Sequence, residues 1–393
     1  MNLKFLTLSK VIFVIIFVMS LGFIGHWVSN RISQRVIGKF IAKQVILTSN
    51  TGKSSQLQSL LDDVVAEQKI PGAVMYISTP KGYWLAASGV NNLATKTPMK
   101  PTDGFSIASM SKTFVAVVVL KLVEQGKIEL DQAIATYLPR DISPHIINSD
   151  KITVRQLLNN TSGVAEYLTT PEFIQATAKR SRSQPWTATE AIQYMYDEQP
   201  QASPGDKFIY TDSNYILLEL IVENITRGTL AQAIRSQILE PLGLKHTFTE
   251  LREPVIGEVA IGYGDRHKNG NLDSYAKVND GNGLGDGGLV STAEDLAKFA
   301  TALFAKKTLL SPKMMREMLK FTNNGEGYSY GLGVERFASP LAKSFGHSGI
   351  AYGFTTLLTY LPNQDTIIVV LLNAQNADIK SIAMAGLEVT QKR

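Results

Sequence analysis

Extended apolar runs sit near the two ends of this sequence and are scarce between them, and that arrangement narrows the fold more than any single motif. Residues 72–78 and 83–88 read as a strand pair about a turn holding Pro80 and Gly82. Residues 354–360 and 366–372 read as a second pair about Pro362-Asn-Gln-Asp365. Helices are expected over 54–68 and 378–391, and the stretch from about 131 to 300 reads mostly as helices and loops. Strands from both ends most simply share one antiparallel sheet, with the terminal helices on one face and the helical middle on the other. The expected class is therefore α/β of the α+β type.

Within that plan, Phe105-Ser-Ile-Ala-Ser-Met-Ser-Lys-Thr-Phe114 places Ser109 three residues before Lys112. That spacing sets two side chains on one helical face. A serine hydroxyl is a poor nucleophile near neutral pH until a neighbour can take its proton, so an amine beside it makes a candidate acyl acceptor. Ser-x-x-Lys also occurs at 78–81 and 274–277, in a hairpin turn and in an Asn/Gly/Asp-rich stretch, neither of which should be helical. Ser109 instead opens the apolar run 114–123, whose helix start would add amide donors and partial positive charge. On the local sequence alone, a helix-capping serine with a solvent-facing lysine is the favoured reading.

Two further clusters decide between these readings. Phe208-Ile-Tyr-Thr-Asp-Ser-Asn-Tyr-Ile-Leu-Leu218 and Phe345-Gly-His-Ser-Gly-Ile-Ala-Tyr-Gly-Phe354 follow in order. With Ser109 and Lys112 they resemble the serine beta-lactamase and penicillin-recognising family, in the branch of class C beta-lactamases, D-Ala-D-Ala carboxypeptidases and related esterases. Its signatures are Ser-x-x-Lys, Tyr-x-Asn and Lys-Thr-Gly or His-x-Gly. Segments 157–163, 240–244 and 287–296 extend the resemblance over about residues 56–385. The sequence departs at Asp212, where the second motif usually has Asn; a carboxylate accepts hydrogen bonds but donates none, and it changes the charge beside Lys112.

The resemblance implies a fold with the site where sheet and helical region meet, and a serine hydrolase working through an acyl-enzyme. Ser109 would be the nucleophile, Lys112 and Tyr210 would share the base role, and His347 would stand where other members have Lys. Tyr210 in that role needs a phenol pKa below about 10, which a nearby ammonium could supply, and His347 would change charge across physiological pH. The backbone amides of Ser109 and Ile350 would form the oxyanion hole. Asp212, Ser348, Gly349 and Arg336 would meet substrate, Arg336 by pairing with a carboxylate. The His-x-Gly form leans toward a D-Ala-D-Ala carboxypeptidase acting on peptidoglycan peptides. An esterase, a class C-type beta-lactamase and a catalytically silent, membrane-tethered binding member are the alternatives. No cofactor is implied.

The first residues differ in kind. Residues 11–28 form an uncharged run at the lower limit for spanning a bilayer, without a small-x-small cleavage site, so 1–53 reads as an N-terminal anchor or signal segment and 54–393 as the hydrolase domain. Residues 1–53 carry seven of the 39 Lys and Arg and none of the 34 Asp and Glu, leaving 32 basic against 34 acidic in the domain. The positive net charge belongs to the tail, which suits anionic lipid headgroups; no nucleic-acid-binding face is expected. By resemblance the domain would lie in the bacterial cell envelope, outside the cytoplasm. Zero cysteines exclude disulfides and thiolate chemistry, and five histidines without a His-Glu-x-x-His pairing give no zinc motif. Gly283-Leu-Gly-Asp-Gly-Gly288 matches a dinucleotide fingerprint but lacks the buried strand before it, so it reads as a flexible loop ending in a helix cap.

Overall fold

The structure, a computed structural model, describes residues 51–391 except 182, 197, 266, 269, 277–282, 324–328, 338–343 and 376. The apolar run 11–28 and most of the basic stretch after it lie outside the described residues. Among the described residues no helix is long and apolar enough to cross a membrane.

Helix α1 (Thr51–Glu67) leads into strands β1 (Gly72–Thr79) and β2 (Gly82–Asn92). The next element is α2 (Ser111–Glu124), and after a long stretch of short helices and loops comes α3 (Ser213–Thr226). The chain then returns to extended structure in β3 (Glu335–Phe337), β4 (Ser344–Ala351), β5 (Phe354–Leu361) and β6 (Thr366–Leu372), and closes with α4 (Ile379–Gln391). Both end pairs join one nine-stranded antiparallel sheet, with β1 hydrogen-bonded to β6 in the register Ala73↔Leu372 to Ser78↔Ile367. The remaining order is β2–β1–β6–β5–β4–β3, with short strands at either edge.

Alternation of side chains along each strand divides the core in two. Ile368, Val370 and Leu372 of β6, with Ala73, Met75 and Ile77 of β1, meet Leu57 and Leu61 of α1 and Ile379, Ile382 and Leu387 of α4. Ile367, Val369 and Leu371 face the helical middle, with Phe114 to Leu120 of α2. Every residue of β5 and β6 is buried, because the sheet is covered on both faces. Each such Leu, Ile or Phe contributes roughly 1.5–3 kcal/mol relative to exposure. Helix α2 is apolar nearly all round and runs through the second core, its Phe114 ring stacked 3.8 Å from that of Phe299.

The junction between sheet and helical region is tight at one place. A Cβ on Gly349 of β4 would lie 2.4 Å from the Ile107 carbonyl oxygen and 3.0 Å from the Ala108 Cβ. Only glycine lets the strand edge press against the turn that precedes α2.

Candidate active site

Ser109 lies on the 3-10 turn Ala108–Met110, one turn ahead of the α-helix and not inside it. In a 3-10 turn residues i and i+3 eclipse, and Lys112 Nζ accordingly donates to Ser109 Oγ at 3.0 Å. The turn begins with Ala108 at φ 49°, a left-handed conformation uncommon outside glycine. Neighbours hold it there: the Ile107 amide donates to the Leu289 carbonyl at 2.9 Å, and the Leu289 amide donates to Ser111 Oγ at 3.1 Å.

Lys112 is fully buried, and three acceptors surround its amine: Ser109 Oγ, Asp212 Oδ1 at 2.5 Å and the Asp286 carbonyl at 2.6 Å. An ammonium has three protons to give, and each has a taker. The rings of Tyr210 and Tyr215 flank it with centroids at 5.1 and 5.5 Å. The Asp at the position usually held by Asn is thus the counter-ion of Lys112.

Tyr210 stands beside Ser109, but its phenol is not acidified. Burial first, then the Asp212 carboxylate, push it well above the ordinary range, and a hydrogen bond with Ser109 opposes them only in part. The expectation of a lowered pKa fails because the ammonium lies against the ring while Asp212 and Glu335 supply negative potential. The resting phenol keeps its proton.

His347 is also placed differently from expectation. Its ring is fully buried; the Tyr330 hydroxyl donates to Nε2 at 2.8 Å and Nδ1–H donates to the Ser348 carbonyl at 2.6 Å. Burial lowers its pKa, with the neighbouring Glu335 only partly offsetting this, so the ring is neutral at physiological pH. The Tyr330 ring lies edge-on to both Tyr210 and His347, with centroids at 6.0 and 5.7 Å. Sequence reasoning passed over Tyr330.

On the adjacent strand positions, Ser348 gives its hydroxyl and its amide to Glu335, at 2.8 and 3.2 Å. β3 pairs only with residues 344–346 of β4, so the strand beyond, with Gly349 and Ile350, runs past its end beside the Ser109 turn. The Ile350 amide, two residues after that of Ser348, points to the same strand edge. Arg336 lies over the Phe321 ring, 5.5 Å from its centroid, and forms no ion pair among the described residues.

Three acidic residues that sequence reasoning missed complete the site. Asp286, in the glycine-rich loop, is buried; besides offering its carbonyl to Lys112 it accepts from the Tyr167 hydroxyl at 2.7 Å. Burial and Asp212 raise its carboxyl to about 7. Glu166 accepts from the Thr211 hydroxyl and the Asp212 amide, and burial and Asp212 raise it likewise to about 7. Glu335 is the third. The segment 159–167 as a whole grips the second motif: the Asn160 carbonyl takes the Ile209 amide at 2.8 Å, Asn160 Oδ1 takes Asn214 Nδ2 at 2.8 Å, and Ser213 Oγ takes the Tyr167 amide at 2.9 Å.

A serine joined to a buried lysine at a helix start, a tyrosine beside them and a strand edge pressed against the nucleophile are the fold and site of the serine beta-lactamase and penicillin-recognising class. The beta-lactamase family model matches residues 57–391, and the chain belongs to that family. Protein flp of Staphylococcus aureus (strain MW2) is 31% identical over 209 residues, which are 53% of this chain and 41% of that protein, so the chain spans less than half of this relative's length. The octameric penicillin-binding protein homologue of Pyrococcus abyssi superposes with a TM-score of 0.72 at 26% identity, over 86% of this chain and 77% of that one. The D-amino acid amidase of Ochrobactrum anthropi SV3 superposes with a TM-score of 0.75 at 24% identity, over 87% and 99%, and shows the shared fold.

Proposed function

We propose that this protein is a serine hydrolase that forms an acyl-Ser109 intermediate from aminoacyl or peptidyl amides or esters of the D series, and that it favours substrates bearing a free ammonium. The observation that carries this is Asp212: one oxygen holds Lys112, which also reaches Ser109, yet the side chain remains 22% exposed. A partly exposed carboxylate in a site that also holds Glu335 attracts cationic groups and repels carboxylates. The D-Ala-D-Ala peptide expected from the sequence ends in a carboxylate. The cation nearest Ser109, Lys112, is already enclosed by three acceptors, and Arg336 lies over Phe321. Carboxypeptidase action is therefore the second reading, supported by the likeness to penicillin-binding proteins. The D configuration is supported by the amidase neighbour's name.

In the reaction, Lys112 passes a proton to the Asp212 carboxylate and takes the Ser109 proton as Oγ bonds to the carbonyl carbon and the carbonyl opens to an oxyanion. As the carbonyl re-forms, the bond to the amine or alcohol breaks and that group takes a proton back from the Lys112–Asp212 pair; water then attacks the acyl-serine, giving its proton to the same pair, and Ser109 leaves reprotonated. The amides of Ser109 and Ile350 would hold the oxyanion, each worth a few kcal/mol in the transition state. With 11–28 as an anchor, the domain would work outside the cytoplasm on envelope components.

Rates on D-alanine p-nitroanilide, its N-acetyl form and its N-succinyl form test the reading, alongside D-alanine release from diacetyl-Lys-D-Ala-D-Ala. The expected order is cationic, then neutral, then anionic, with Ser109→Ala inactive on all. The reverse order, or dominant D-alanine release, would overturn the ammonium preference. Absence of a Ser109-dependent adduct with a fluorophosphonate or fluorescent penicillin would overturn the enzyme reading and leave a binding member.

A further inference from the structure

Among the described residues Glu166 has no hydrogen bond to Ser109, Lys112 or Tyr210, yet four donors converge on its carboxyl. Oε2 accepts from the Thr211 hydroxyl at 2.7 Å and the Asp212 amide at 2.6 Å. Oε1 accepts from the Leu168 amide at 3.0 Å and the Ser213 hydroxyl at 3.5 Å. Three of these donors are consecutive residues, and they follow Tyr210 directly. A carboxylate is the group suited to the place, because it offers only acceptors to a ring of donors.

We propose that Glu166 is the positioning residue of the second motif: its carboxylate fixes the backbone of Thr211 to Ser213 and thereby sets where Asp212 meets Lys112 and where Tyr210 meets Ser109. This rests on the serine-hydrolase reading above. Two of the donors, the Asp212 and Leu168 amides, can only donate. A proton added to the carboxyl displaces one of them or must turn a hydroxyl around, so acidification loosens the clamp.

The titratable groups facing this region are Lys112 from α2, Asp212 and Tyr210 ahead of α3, Tyr167 beside Glu166, Asp286 from the glycine-rich loop, and Glu335 and His347 from the sheet. His347 is held neutral and the phenols protonated. Glu166 and Asp286 are each raised to about 7, by burial first and then by the Asp212 charge that acts on both. Only Glu166 contacts the motif backbone.

The test uses the full chain and p-nitrophenyl acetate, a neutral substrate whose turnover does not depend on ammonium recognition. Wild type should lose kcat as pH falls through about 7. Glu166→Gln keeps an acceptor for Thr211 and Asp212 but cannot ionise, so its acid limb should flatten while kcat drops about tenfold and KM changes less than threefold. Glu166→Ala should drop kcat at least tenfold further. An unaltered acid limb and kcat in Glu166→Gln overturns the proposal. Should that variant fail to fold, Thr211→Val, which deletes one donor, must lower kcat with little change in KM, and an unchanged kcat there overturns it equally. Fluorophosphonate labelling of wild type keeps the two readings apart: labelling without these effects removes the positioning role alone, whereas no labelling removes the serine-hydrolase reading and the role with it.

Discussion

Replacing Asp212 by Asn restores the residue usual at this position and removes the counter-ion of a lysine with no solvent exposure. At 2.5 Å and an effective dielectric of about 20, the pair attracts by about 7 kcal/mol before desolvation is counted. Breaking a buried pair leaves a net loss of roughly 3–5 kcal/mol. Asn keeps a carbonyl acceptor for Lys112 and sheds the desolvation of the carboxylate, so the loss should fall to about 2–3 kcal/mol. For a domain of this size that lowers Tm by roughly 3–4 °C. The kinetic effect differs in size between substrates. D-alanine p-nitroanilide loses both the proton acceptor and its attraction to the carboxylate and should slow most. The N-acetyl form should slow about tenfold to thirtyfold less than that, because it loses the proton acceptor alone while the second cause, after burial, of the raised Tyr210 pKa is removed. Calorimetry and paired kcat/KM values check both parts. If the two substrates slow alike, Asp212 serves the chemistry alone and plays no part in recognition; if Tm is unchanged, the ion pair has been overvalued.

Glu219, on α3 and 4% exposed, accepts from the Gly285 amide at 2.7 Å, and burial raises its carboxyl to about 8. A raised acid binds its proton more tightly when folded, so its share of stability is full below the unfolded value near 4.5 and is lost as pH rises through about 8. Glu219→Gln should flatten the fall in stability between pH 5 and 8 seen by urea unfolding; an identical slope would contradict this. Gly349→Ala forces a Cβ to 2.4 Å from the Ile107 carbonyl and must move β4 from the nucleophile turn. Activity on every substrate should fall at least a hundredfold while Tm drops only a few degrees, and a near-wild-type rate would show that the close approach is dispensable.

The sheet was legible because its central strands are covered on both faces, so the extended apolar runs near both ends read correctly to within a few residues. Ser109, Lys112 and Tyr210 were legible because one short segment holds each motif. What escaped has tertiary causes. The Ser109 turn depends on Ala108 holding a positive φ, which Leu289 and Ser111 stabilise from a distance. Gly283–Gly288 read as a flexible loop from its composition, yet Asp286 within it is buried against Lys112. Glu166 and Glu335 look like ordinary acidic residues until folding brings their donors, Thr211 and Ser348, against them. His347 was found by motif, but its neutrality follows from enclosure behind Tyr330, which spacing does not reveal.

The pairing of β1 with β6 has a consequence for biogenesis. Ala73 must wait for Leu372 before its strand acquires that neighbour, so the nascent polypeptide carries an unsatisfied edge until β6 has been made. Ser109 is translated well before β4, the strand whose Gly349 presses against its turn. A ribosome stalled before β4 therefore carries Ser109 and Lys112 without that strand, and their surroundings close only once it has followed.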